Sequence, residues 1–111
     1  MALKIMTRKA KRVYELLRSV PKGKVVSYGE LARAAKSGPR AVGQFMHRNP
    51  RPDIYPCFKV VRSDGSIGGF GGATRGKKIA HKIRLLRKDG VIVPEGMRRK
   101  IDMKKYAHRF R

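Results

Sequence analysis

Cys57 is the single cysteine of a 111-residue chain and stands in the run Pro56-Cys57-Phe58-Lys59-Val60-Val61. One cysteine excludes an internal disulfide framework and a cysteine-cluster zinc site. The thiol is then either an inert, buried small side chain or a group that is chemically used. An ordinary thiol titrates at about 8.5 and is only a few per cent thiolate at neutral pH. Lys59, Arg62 and the cationic surround favour the thiolate. Charge is the second chemical signal: Lys and Arg number 29 against 7 Asp and Glu, a formal net charge of +22. That density drives a compact state apart unless a counterion-rich partner is near, which points to a polyanion. By itself it supports only nonspecific phosphate binding.

The elements that must position these groups fit in one small domain, since a typical domain takes about 100 to 150 residues. Hydrophobic residues make up 41% of the chain, enough for a small core and too many for a disordered basic tail. No apolar run exceeds three residues, Val91-Ile92-Val93 being as long as any. Nothing therefore approaches the roughly 20 needed to cross a bilayer, or a signal-peptide core. The basic residues are spread along the chain rather than gathered on one amphipathic helix, which favours nucleic acid over a membrane surface. The expectation is a soluble, intracellular, DNA-associated protein of the cytoplasm or nucleoid, with no membrane contact.

From Thr7 to Val20, Ala10, Val13, Tyr14 and Leu17 fall at the spacing of a one-sided helix, stopped by Pro21-Lys22-Gly23. After the extended pair Val25-Val26, Ser27-Tyr28-Gly29-Glu30 has the form of a capping box, in which Ser27 and Glu30 satisfy each other's backbone donors at the head of a helix ending near Ala35. Pro39 suits the first position of a third helix, which Asn49-Pro50-Arg51-Pro52 ends. The two short helices have the outline of a helix-turn-helix. Cys57 to Val61 reads as a short β-prone run, Ser63 to Ser66 as a turn, and Gly68 to Gly72 around Phe70 as a flexible loop. A last helix runs from about Thr74 to Lys88 on Ile79, Ile83 and Leu86, ended by Asp89-Gly90. The expected fold class is mainly α with a small β element, a winged helix-turn-helix-like domain of three to four helices over residues 1–90. Residues 91–111 are then a basic C-terminal tail. From Met97 on it carries seven basic residues against Asp102 alone, so a solvated, partly disordered arm is expected.

Three ordered segments carry a more specific signal: Pro21-Lys22-Gly23-Lys24-Val25-Val26-Ser27-Tyr28-Gly29-Glu30-Leu31-Ala32, then Pro39-Arg40-Ala41-Val42-Gly43 with Asn49-Pro50, then Pro56-Cys57-Phe58-Lys59-Val60-Val61. Together with Ser63-Asp64-Gly65, the glycine loop and Leu85-Leu86-Arg87-Lys88-Asp89-Gly90, this resembles the DNA-binding domain of the O6-alkylguanine-DNA alkyltransferases. The resemblance covers about Thr7 to Gly90. It implies a protein that enters the minor groove of duplex DNA with its helix-turn-helix, flips an O6-alkylguanine and accepts the alkyl group irreversibly on a cysteine. A monomer needing no cofactor and no metal is implied, with other repair proteins as further partners.

By that resemblance Cys57 is the acceptor. Arg40 becomes the finger that fills the gap in the base stack; read alone, it is one more phosphate contact. Ala41 and Gly43 either pack the core or let the helix backbone approach a groove only about 6 Å wide. Tyr28 presses on the phosphate of the flipped nucleotide and donates its hydroxyl toward the base, or simply packs beside the cap. Asn49 is the hinge between the recognition helix and the active-site loop, or a plain helix cap. Lys59 joins the DNA-binding set, while Phe58, Phe70 and Gly71 line the lesion pocket. Gly71 stands where a serine often helps recognise O6.

One departure bears on mechanism. The family signature is Pro-Cys-His-Arg, so the histidine that relays the thiol proton is replaced by Phe58, and Asp89 stands where a glutamate orients that histidine. His47 and His81 do not occupy the motif position. Two other readings stay open. Short alkyltransferase-like relatives bind alkylated bases without removing the group, but they have replaced the cysteine. A helix-turn-helix regulator, architectural protein or RNA-binding protein would use the fold without base chemistry.

Overall fold

The computed structural model describes residues 7–96 and 99–110. Helix α1 (Arg8–Arg18) starts at Thr7, whose hydroxyl accepts the Ala10 N–H, and buries Ala10, Val13, Tyr14 and Leu17 on one face. Strand β1 (Val26–Ser27) leads directly into α2 (Tyr28–Ala35), capped by the Ser27 hydroxyl on the Glu30 N–H. Only this half of the expected capping box forms as read. The Glu30 carboxylate turns instead to the Arg33 guanidinium and to the N–H of Phe110 in the C-terminal segment. Lys36, in the left-handed region at φ 55°, closes α2, and α3 (Pro39–His47) begins with proline at its first turn. A 3-10 turn (Cys57–Lys59), strand β2 (Val60–Val61), α4 (Lys77–Lys88) and α5 (Met103–Tyr106) complete the described elements.

β1 and β2 pair in parallel, Val26 with Val60 and Ser27 with Val61. Alternation along this two-residue ladder divides the interior. Val26 and Val60 join the cluster made by α1, α2 and α3, while Val25 and Val61 join a second cluster with Ile67, Ile79, Ile83, Leu86 and Val91. The mainly helical domain with a small two-stranded sheet is as expected.

The C-terminal segment departs from expectation. Met97, Arg98 and Arg111 lie outside the described residues, but the remainder of the supposed arm packs: Ile101 and Tyr106 are 3% and 7% exposed in the second cluster. Val25 N–H donates to the Tyr106 carbonyl at 2.9 Å and His108 N–H to the Val25 carbonyl at 2.7 Å, so the segment adds a third edge beside β1. Gly65 admits it; any side chain there would collide with the Ile101 carbonyl. A division at residue 90 runs through the second cluster, because Val91 and Val93 belong to it as well.

Candidate active site

The loop before Cys57 is held from two sides. Asn49 Nδ2 donates to the Tyr55 carbonyl at 2.7 Å while its Oδ1 accepts the Arg51 N–H. Tyr55 stacks on Tyr14 with ring centroids 5.0 Å apart, and the Tyr14 hydroxyl donates to the Phe45 carbonyl of α3. This arrangement ties α1, α3 and the loop together and fixes where the 3-10 turn presents Cys57. Burial pushes the Cys57 thiol up from its ordinary pKa; a hydrogen bond from Asn49 and the charge of Lys82 pull it back in part.

Cys57 opens into a pocket of about 280 Å³. Tyr28 from the first turn of α2, Gly43, Met46 and His47 from α3, and the loop from Gly69 to Thr74 form its other walls. The volume is at the small end of ligand pockets. Burial, and then the nearness of Cys57, raise the Tyr28 phenol, which keeps its proton available for donation. The glycine loop folds tightly against these groups: a Cβ on Gly68 (φ 74°) would lie 3.3 Å from the Tyr28 ring. Phe70 and Ala73 exchange both backbone hydrogen bonds, which shapes the loop into a small hairpin. The Gly71 carbonyl accepts from Lys78 Nζ at 2.8 Å.

The structure thus gathers Tyr28, Gly43, Cys57, Phe70 and Gly71 around one cavity, with Asn49 behind it. Arg40 and Ala41 lie outside, with Gln44 and Arg48 along the outer face of α3. The expectation that Phe58 lines the pocket is not met. Phe58 packs against the second cluster, because the 3-10 turn alternates its side chains and turns Cys57 toward the first. Lys59, 4% exposed, points inward as well; its Nζ meets Asp89 Oδ2 at 2.9 Å and donates to the Pro21 carbonyl. Asp89 Oδ2 also accepts the Gly23 N–H at 2.9 Å. Both residues are thus occupied in joining α4 to the turn before β1, and neither is among the walls of the Cys57 pocket.

Lys82 was not singled out by the sequence reading. It is fully buried on α4, and its Nζ donates to the carbonyls of Val60, Ile67 and Gly69 at 2.7, 2.5 and 3.1 Å. Burial pulls its pKa down to about 7, with Cys57 acting the other way. Three carbonyl acceptors match the three N–H bonds of an ammonium, whereas a neutral amine could satisfy only two, so the cage favours the charged form. One lysine thereby joins α4, β2 and the glycine loop behind the thiol. Its sequence signal was available: Ile79, Lys82, Ile83 and Leu86 share the apolar spacing of α4.

A protein-family model described as "6-O-methylguanine DNA methyltransferase, DNA binding domain" matches residues 8–91. The chain belongs to this methyltransferase family. A methylated-DNA–protein-cysteine methyltransferase of Methanothermobacter thermautotrophicus is 39% identical over 85 residues, 77% of this chain and 46% of that one. The chain spans half or less of the length of the first curated relatives it matches. Among solved structures, O6-methylguanine-DNA methyltransferase from Pyrococcus kodakaraensis superposes with a TM-score of 0.66 at 43% identity, over 77% of this chain and 47% of that one. Schizosaccharomyces pombe Atl1, in complex with damaged DNA containing O6-carboxymethylguanine, superposes with a TM-score of 0.77 at 26% identity, over 96% of this chain and 99% of that one. The mainly helical fold with its parallel two-stranded sheet is that of the family. Among the described residues no helix is long and apolar enough to cross a membrane.

Proposed function

We propose that this protein binds duplex DNA through α3 in the minor groove, takes an extruded O6-alkylguanine into the Cys57 pocket and transfers the alkyl group to the Cys57 sulfur. The observation that carries the reading is the shared cavity of Cys57, Tyr28 and the glycine loop, with α3 supplying one wall and carrying the exposed Arg40 in its first turn. The DNA-bound relative with O6-carboxymethylguanine supports the choice of ligand.

Arg40, in the first turn of α3, fills the vacated position in the base stack and offsets part of the few kcal/mol that extrusion costs. The sulfur lone pair attacks the alkyl carbon, the S–C bond forms, and the C–O6 bond breaks with its electron pair going to the guanine. The thiol gives up one proton and the departing guanine gains one, so the transfer balances without a cofactor. Tyr28, held as a protonated phenol, donates a hydrogen bond to the base as negative charge builds on it. The charge of Lys82 favours the thiolate, and its Nζ holds the glycine loop in place through the Ile67 and Gly69 carbonyls. No second turnover follows, because the thioether is the product.

A lesion sensor is the second reading. The near-complete overlap with Atl1 favours it, as does Phe58 standing where the resemblance calls for the relay histidine. Intact-mass measurement after incubation with an O6-methylguanine duplex separates the two: one added methyl on Cys57 supports transfer, and tight lesion binding with unmodified protein supports sensing.

A further inference from the structure

We infer that His47, on the last turn of α3, is the proton acceptor for the Cys57 thiol, taking from a different element the task that Phe58 cannot perform. The inference deepens the alkyl-transfer reading and rests on it for the identity of the alkyl donor.

His47 and Cys57 are walls of the same cavity. The imidazole lies against the glycine loop: a Cβ on Gly72 would stand 2.6 Å from its Cε1 and 3.1 Å from its Nδ1. Only glycine leaves room for the ring there, and Gly72, at φ 82°, has a backbone that favours glycine in any case. Loop and ring therefore close one side of the pocket together. Gly43 lies one turn earlier on the same face of α3 and is bare, which keeps the space in front of the ring open toward the thiol.

The other candidates for this task are spoken for. Tyr28 is a retained phenol and acts as a donor. Lys82 Nζ is committed to three carbonyls and is not a wall of the pocket. Asp89 is held by Lys59 and Gly23 outside the cavity. His81 tilts against Phe70 from α4 and is not a wall of the pocket. Among the described residues His47 is the one histidine that lines the pocket with Cys57. The charged and titratable groups around it are Arg48 on its own helix, Tyr28 from α2, Cys57 from the 3-10 turn, and Lys78 from α4 over Gly71. The thiol proton is relayed rather than kept. It passes from Sγ to His47, directly or through one water, and on to the guanine as the C–O6 bond breaks.

The test follows alkylation of the lone cysteine by iodoacetamide, read by intact mass on the full chain from about pH 5.5 to 9.5, in wild type, His47→Gln and His47→Ala. His47 is exposed, so these variants leave the core intact. The wild-type rate should exceed that of both variants by about 10-fold near pH 7.5. The variants should rise only toward the thiol range and meet the wild type there. Superimposable profiles in all three proteins would overturn the inference. The same proteins are then assayed on an O6-methylguanine duplex. A His47-dependent iodoacetamide profile with no transfer from the duplex would uphold His47 as the acceptor and reject the alkyl-transfer reading instead.

Discussion

Lys59 and Asp89 form an ion pair at 2.9 Å, with side chains 5% and 16% exposed, immediately behind the turn that carries Cys57. The carboxylate that the sequence placed in support of catalysis thus clasps the fold, joining the end of α4 to Gly23 and to the turn. Removing one member of a buried pair leaves the other charge uncompensated, at a cost of about 3–5 kcal/mol at full burial. Asp89→Asn keeps one acceptor, so a loss of roughly 1–3 kcal/mol is expected in urea denaturation. The pH profile of Cys57 alkylation should stay unchanged, whereas a carboxylate acting in the relay would alter it.

Lys82→Met strands three buried carbonyls and removes the cation behind the thiol. It should lower stability by about 3 kcal/mol or more and shift the Cys57 alkylation profile to higher pH. An unchanged profile in a folded variant would show that the cage serves packing alone.

Glu30 is held down to about 2 by the Arg33 guanidinium first; burial opposes this, and the Phe110 N–H adds to it. The same carboxyl in the unfolded chain titrates at about 4.3. A depressed folded-state pKa contributes stability that is fully present above the unfolded value and is lost as pH falls toward the folded one. The difference in urea midpoint between wild type and Glu30→Gln should therefore be constant above about pH 5 and vanish toward about pH 2. Because Phe110 is one of the partners, the C-terminal segment should undock over the same interval, read by hydrogen exchange at His108 and Phe110.

Truncation after Gly96 removes Ile101 and Tyr106 from the second cluster. Ile101 alone accounts for roughly 1.5–3 kcal/mol of burial, so the melting temperature should drop by several degrees or more. A truncated chain that melts like the full one would restore the segment to a solvated arm.

Helices α1 to α4 were readable in the sequence because each is written locally, with an apolar stripe in α1, a serine cap on α2 and proline at the head of α3; the run from Cys57, expected to be β-prone, begins instead as a 3-10 turn, and α5 was not foreseen. What was not readable depends on partners distant in the chain. In the C-terminal segment the charge count outweighed Ile101 and Tyr106, whose burial needs Val25 and Gly65 to receive them. Glu30 was assigned to its neighbour Ser27, but Phe110 reaches it from 80 residues away. The resemblance placed Phe58 in the lesion pocket with Phe70 and Gly71, yet adjacent residues of the turn face different clusters and Phe58 joins the one away from Cys57. His47 was set aside for lying off the motif, although its spacing from Gly43 already put both on one helix face.

Arg40→Ala should weaken lesion engagement far more than general DNA binding, since one phosphate contact among many is nearly replaceable and a base-stack plug is not. Equal losses on intact and alkylated duplexes would reduce Arg40 to a phosphate contact. Binding to either duplex should fall steeply with salt, about 0.9 in log–log slope for each phosphate neutralised.

The most direct test of the account is intact-mass analysis of the full chain after incubation with a duplex bearing a single O6-methylguanine, at neutral pH and at about pH 9, with Cys57→Ser alongside. Transfer to Cys57 should leave one added methyl per wild-type molecule, faster at the higher pH, localised to Cys57 and absent from Cys57→Ser, with lesion binding retained by both proteins. Unmodified wild type at either pH, with the lesion bound and the thiol open to iodoacetamide, would contradict it.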